Sequence, residues 1–245
     1  MMDKVIHGVN KGLSICIEMF CLTVIWAVGF FLLDSYLIQR SASADSFIAN
    51  YKKTCVDEET GEFSLAKLQE INPDVVAWVT IDDNPIDYPI LQGDPEFTYL
   101  NRDMEGNSCL TGSLYIGASA NRYFEDEYTI VYGHHMAGGA MLGSLDYFIE
   151  PEYLEGHKHG TLITEKATYD IEVLALYKTD AYYESLYSRS DMESFLSCVE
   201  DKENMVLRTG SLESVEPTDK LLIFSTCSAN GTADRTILIT RLTIL

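Results

Sequence analysis

The chain has 245 residues, with 38 Asp plus Glu against 17 Lys plus Arg, for a formal net charge of -21. Nucleic-acid binding rests on Lys and Arg neutralising phosphates, so this balance excludes a nucleic-acid partner. With 47% hydrophobic and 11% aromatic residues the chain is not a disordered polymer, its six Cys are too few for a disulfide-built scaffold, and no internal repeat recurs.

From Met19 to Leu33 every residue is apolar except Thr23, and extending back to Leu13 adds only Ser14 and the charge of Glu18. About 20 residues at 1.5 Å rise cross a hydrocarbon core, so residues 13–33 are predicted to form a transmembrane signal anchor. Lys4 and Lys11 precede the span and Asp34 follows it. Positive-inside bias then puts residues 1–12 in the cytoplasm and the rest of the chain outside the cell. A cleaved signal peptide is the alternative, but the Ala42-Ser43-Ala44 run lies well beyond the apolar stretch. Cys16 and Cys21 read as apolar filler, with acylation as the other reading.

Residues 34–63 are predicted to be a stalk helix and linker. Tyr36, Leu37, Phe47, Ile48 and Tyr51 recur at helical spacing across residues 35 to 56, and Glu58-Glu59-Thr60-Gly61-Glu62 is a turn. Ser64 is placed to cap a helix from Leu65 to Ile71, which Asn72-Pro73 ends. Short strands then follow: Val75–Ile81, Ile86–Leu91, Gly112–Ile116, Tyr128–Tyr132, Thr161–Thr164, Tyr169–Lys178, Lys220–Phe224 and Arg235–Leu245. Their density implies a mainly β fold, an antiparallel sheet closed into a barrel or sandwich. A single helix interrupts the late strands, opened by Ser190-Asp191, with Phe195, Leu196 and Val199 on its apolar side and its end near Asp201 to Asn204. No linker divides residues 64–245, which are predicted to be one domain.

Leu221-Leu222-Ile223-Phe224 should be a buried strand delivering Ser225, Thr226 and Cys227 at its end, where a rigid element opens onto the loop Ser228 to Asp234. Arg235 opens the next strand, and antiparallel pairing would return it beside Cys227. A thiol acts as thiolate, which a nearby imidazolium or guanidinium stabilises. The imidazole candidate is His134, after Tyr132-Gly133, with Gly133 read as a sharp bend. Taken singly, the Cys reads as a small buried hydrophobe, the His pair as a turn and the Arg as a solvated edge residue. The chemistry rests on all three occurring together. His157 and His159 are read as an exposed turn rather than a metal site, and Cys55, Cys109 and Cys198 as unpaired structural thiols.

Phe224-Ser225-Thr226-Cys227 followed by Arg235 resembles the sortase signature. Ile130-Val131-Tyr132-Gly133-His134-His135-Met136, Ile71 to Trp78, Ile86 to Gly93 and Tyr99-Leu100-Asn101 are similar to class B sortases in particular, in the family's order. The resemblance runs from about Leu65 to Leu245. It implies an eight-stranded sortase barrel with N-terminal helices and an extra helix before the Cys strand. It also implies a cysteine transpeptidase that cuts a sorting signal after Thr and passes the acyl group to an amine. Carried over by position, His134, Cys227 and Arg235 match the catalytic residues, and Ser225, Tyr132 and Thr226 match positions lining the substrate groove. The implied partners are an Asn-Pro-x-Thr-like signal and either a peptidoglycan-precursor amine or a pilin Lys. No metal or cofactor is expected.

Ser228 follows the Cys where some class B relatives have an acidic or larger residue, and the Cys-to-Arg spacing of eight is at the short end for the family. Asp94-Pro95 is similar to the lid motif of class C sortases. That reading is set aside because the flanking residues follow the class B pattern, Glu96 stands where an aromatic is expected, and no apolar C-terminal span is seen. Two rivals stay open: a thiol hydrolase releasing the acyl group to water, and a binding module on an inactive barrel.

Overall fold

The computed structural model describes residues 2–42, 48–56, 61–180, 191–199, 205–227 and 234–245. Phe47, the turn at Glu58 to Thr60, Ser190, the helix end at 201–204 and the loop from Ser228 to Ala233 therefore lie outside the described residues. The chain divides into two units, residues 1–40 and 41–245.

The first unit is formed by helix α1, Met2–Ala42, whose last two residues fall in the second. Its stretch Ile6–Leu37 is long and apolar enough to cross a membrane; the most apolar 18 residues in it have a mean hydropathy of 2.3, and none of those is buried in the protein. Phe20, Trp26 and Phe31 are among its exposed side chains. The helix runs past the expected end at Leu33 into the predicted stalk. Within that stalk, Ile48–Thr54 is helical as well and is labelled α2.

In the second unit, α3 spans Leu65–Ile71. Ser64 holds the N-cap position without a side-chain capping bond, so packing of Leu65 and Leu68 holds this helix instead. The strands are β1 Val75–Ile81, β2 Asp87–Leu91, β3 Leu114–Ile116, β4 Tyr128–Tyr132, β5 His159–Thr164, β6 Thr168–Asp180, β7 Met205–Gly210, β8 Lys220–Cys227 and β9 Asp234–Ile244. Hydrogen bonding runs in the order β5-β1-β2-β3-β4-β8-β9-β6, and β5–β6 pairing closes the ring of eight. The strand β7 was not expected. It continues along the edge of β6 that β5 vacates, pairing Ala175 to Thr179 where β5 pairs Thr168 to Glu172.

The sheet is not wholly antiparallel as expected. The pairs β2–β3 and β4–β8 are parallel, each joined by a long connection rather than a hairpin. Three helical pieces between β4 and β5 also escaped the sequence reading: 3-10 turns at Ala137–Gly139 and Gly143–Ile149, and α4, Pro151–Gly156. The later helix α5, Met192–Val199, starts as expected, with the Asp191 carboxylate accepting the Ser194 N–H at 2.8 Å.

Three apolar clusters account for this architecture. The barrel interior holds Val131, Leu222, Phe224 and Leu238. The outer face of β8 and β9, with Ile223, Ile237 and Ile239, is covered by Phe195 and Val199 of α5. With both faces buried, β8 reads as a continuous apolar run rather than an alternation. The third cluster packs Leu65 and Leu68 against Trp78, Leu91 and Tyr99. Here Lys52 of α2 reaches the Asp87 carboxylate at 2.5 Å, which also accepts Trp78 Nε1 at 2.8 Å and Thr80 Oγ1 at 2.7 Å. One carboxylate thus ties α2 to two strands.

Candidate active site

The end of β8 carries the candidate nucleophile. Antiparallel pairing of β8 with β9 sets Cys227 directly opposite Arg235, the register expected from the sequence. Parallel pairing of β4 with β8 sets Tyr132 opposite Ser225, and the next N–H, that of Gly133, donates to the Ser225 carbonyl at 3.3 Å. The turn bearing His134 therefore leaves β4 alongside the last residues of β8. Glycine at 133 serves close packing rather than a bend. A Cβ there would lie 2.5 Å from Leu114 Cδ2 and 2.9 Å from Leu142 Cγ, and its φ is not in the left-handed region.

His134 is half-buried, and its Nε2 lies 2.8 Å from the Leu100 carbonyl. A carbonyl only accepts, so Nε2 carries the proton, and in the neutral ring Nδ1 is left as the base. Sequence reasoning missed Leu100 because only its backbone takes part. Its carbonyl is held in turn. Tyr99 donates to Asp74 Oδ2 at 2.7 Å and accepts from Asn72 Nδ2 at 2.8 Å, and burial foremost pushes its phenol up to about 12. At Gly112, φ is +59°, and a Cβ would come within 2.3 Å of the Leu100 oxygen. Only glycine accommodates both demands.

His135 turns away to another task. Its Nε2 lies 2.9 Å from Asp146 Oδ2, and Lys178 Nζ lies 3.1 Å from Oδ1 as an ion pair rather than an aligned hydrogen bond. Burial would raise the Asp146 carboxyl, but the contacts from His135 and Lys178 outweigh it and leave it below the ordinary value. Lys178 sits on β6 opposite Thr236, next to Arg235. One carboxylate thus links the histidine turn to the strand pair that carries the arginine.

A groove of about 570 Å³ joins these parts. Tyr132, His134, Ser225, Thr226 and Arg235 line it together, with Leu100, Tyr115 and Phe97 as apolar wall. Every described residue predicted for the site therefore meets in one cavity, apart from the Cys227 side chain, which lies outside what is described. His157 departs from the expected exposed turn. It is half-buried at the end of α4, stacked on Tyr153 at 3.7 Å, while His159 begins β5. Among the described residues no His, Cys, Asp or Glu cluster could hold a metal ion, and Cys16, Cys21, Cys55, Cys109 and Cys198 form no disulfide.

A closed eight-stranded barrel with a Cys-ended strand opposite an Arg-opened one, flanked by a histidine turn, defines the kind of protein. No family model matches the chain. Sortase B of Listeria monocytogenes is 31% identical over 167 residues, which span 66% of this chain and 66% of that protein, about two thirds of the curated relative's length. The crystal structure of a Streptococcus pyogenes class B sortase involved in pilus biogenesis aligns at a TM-score of 0.63 and 32% identity, covering 74% of this chain and 98% of that one. The substrate complex of Staphylococcus aureus sortase B aligns at a TM-score of 0.64 and 26% identity, covering 74% and 84%. The chain belongs to the class B sortases, a family of cysteine transpeptidases of Gram-positive bacteria.

Proposed function

We propose that this protein cleaves a sorting signal after Thr and transfers the acyl group to an amine at the cell surface, with its barrel held outside the membrane by α1. The observation that carries this reading is the paired register of β4, β8 and β9, which gathers His134, Ser225, Thr226 and Arg235 around one groove at the end of the Cys227 strand.

In this reading the Cys227 thiolate attacks the Thr carbonyl carbon, giving a tetrahedral oxyanion. Arg235 stabilises that oxyanion, an interaction worth about 2.7–4 kcal/mol when one such donor is removed. Collapse breaks the C–N bond, and the leaving amine takes a proton from His134 Nδ1. This leaves a thioester on Cys227. The acceptor amine then gives a proton to His134 and attacks the thioester carbon, and the C–S bond breaks to return the thiolate. The Nε2 bond to Leu100 supports this role by holding the ring while Nδ1 exchanges the proton. Tyr132, Ser225 and Thr226 bind the signal.

The acceptor is a cell-wall precursor amine. A second reading, a pilin Lys as acceptor, is favoured by the pilus-biogenesis role given to the Streptococcus pyogenes relative.

The test uses Asn-Pro-x-Thr and Leu-Pro-x-Thr-Gly peptide panels, with and without a small amine, read by intact mass. An acyl adduct that moves to the amine, and is absent in Cys227→Ala, is expected. An adduct discharged only to water would make the protein a hydrolase. No adduct with any peptide would leave a binding module.

A further inference from the structure

We infer that Glu96 is a specificity-determining residue that selects a sorting signal carrying a Lys or Arg side chain where the peptide passes the groove's outer rim; this rests on the transpeptidase reading above. Glu96 is exposed and lines the same groove as His134 and Arg235. Among the described residues its carboxylate has no hydrogen-bond or ion-pair partner, whereas nearby Glu125 is paired with Lys166. An unpaired carboxylate in a peptide groove has its counter-charge still to be supplied.

The carboxylate sits close against the backbone. Its Oε1 packs over Gly117, where a Cβ would lie only 3.0 Å away. The next residue, Phe97, takes φ +66°, a left-handed conformation unfavourable for a bulky side chain. Its ring packs edge-on to Tyr115 at 6.4 Å, and Tyr115 stacks on Tyr132 at 5.5 Å. The aromatic row thus anchors the turn that presents Glu96, and its faces favour a cation over an anion.

The field around the rim has the same sign. A second cavity of about 660 Å³ shares Glu96 and Tyr132 with the groove and is walled further on by Asp126 and Glu127. Those two carboxylates already accept backbone N–H groups, from Asn121 and Met192, so they supply potential rather than a site. At the rim a signal with Glu would be repelled by Glu96, away from the Arg235 end of the groove, and one with Lys would be attracted.

The same ammonium chemistry could come from the acceptor amine, and the experiment separates the two. Full-length protein in detergent is given signal peptides identical except for Lys, Gln or Glu at each position before the Thr. The rate of Cys227 adduct formation is read separately from transfer to a small amine. At one position Lys should exceed Gln by roughly two- to fivefold, the range of an exposed ion pair, and Glu should be the slowest. The ordering should flatten at high salt, vanish in Glu96→Gln and invert in Glu96→Lys, with melting temperatures unchanged. Equal rates for the three peptides, or a preference that survives Glu96→Gln, would overturn the inference. So would an effect of Glu96→Gln on amine transfer alone, which would assign the cation to the acceptor. Absence of any adduct in the unaltered protein would instead remove the transpeptidase reading, and the inference with it.

Discussion

Removing the Asp146 carboxylate should unfold the barrel several degrees early. Its partners His135 and Lys178 have side chains 13% and 23% exposed, and its own is 26% exposed. Exposed ion pairs contribute about 0.2–1 kcal/mol, whereas breaking a fully buried one costs about 3–5 kcal/mol. At this intermediate burial Asp146→Ala should cost about 2 kcal/mol, since it leaves an ammonium and a ring N–H without their acceptor. For a unit of this size that is a fall in Tm of about 4–8 °C. The assay is near-UV circular dichroism melting of residues 41–245, the unit that contains all three apolar clusters. Asp146→Asn, which keeps an acceptor for His135, should lose roughly half as much. The pH dependence has a definite sign. The folded Asp146 carboxyl lies below its ordinary value, so its stabilisation is complete above the unfolded pKa of about 3.9. It is lost as pH falls through the lower folded value, where wild type and variant should converge. A difference at neutral pH below about 0.5 kcal/mol, the range of an ordinary surface change, would show that the three groups do not act as a unit.

Gly112→Ala should lower the acylation rate more than it lowers peptide affinity, because a Cβ at φ +59° displaces the Leu100 carbonyl that holds His134; single-turnover kinetics separate the two. Arg235→Ala should slow acylation by about 10²–10³-fold, with Arg235→Lys restoring only part of it, as measured by adduct formation under excess enzyme. Trp78→Ala should cost about 3–5 kcal/mol in chemical denaturation. Trp78→Phe should cost about 1 kcal/mol, the price of the Nε1 bond to Asp87. Deleting residues 2–42 should release the protein from membranes under carbonate extraction, and protease added to intact cells should reach the barrel but not Lys4 or Lys11.

Legibility in the sequence followed the range of each interaction. The β8 run Leu221 to Phe224 and its partner opening at Arg235 are joined through a short loop, so their pairing could be foreseen. The β4–β8 contact links Tyr132 to Ser225 across most of the domain, and only the family resemblance suggested that His134 and Cys227 meet. The strand β7 was overlooked because Met205 to Gly210 carries Arg208 and ends in glycine, and nothing local says that β6 has a vacant edge to receive it. Parallel pairing was missed for a related reason, since strand patterning does not encode direction. The Leu100 carbonyl and the room left by Gly112 have no sequence signature, because one is backbone and the other is an absent atom.

The order of the ring has a consequence for synthesis. The hairpin β8–β9 lies between β4 and β6, so every strand from β1 to β7 can be made while the ring still has a gap two strands wide. Until that hairpin arrives, β4 and the long β6 present unpaired edges, the kind of surface that templates association with other chains. The same hairpin carries Cys227 and Arg235. A chain emerging from the ribosome thus acquires its thiol and guanidinium only in the step that seals its sheet, and a nascent or truncated copy would be both inert and adhesive.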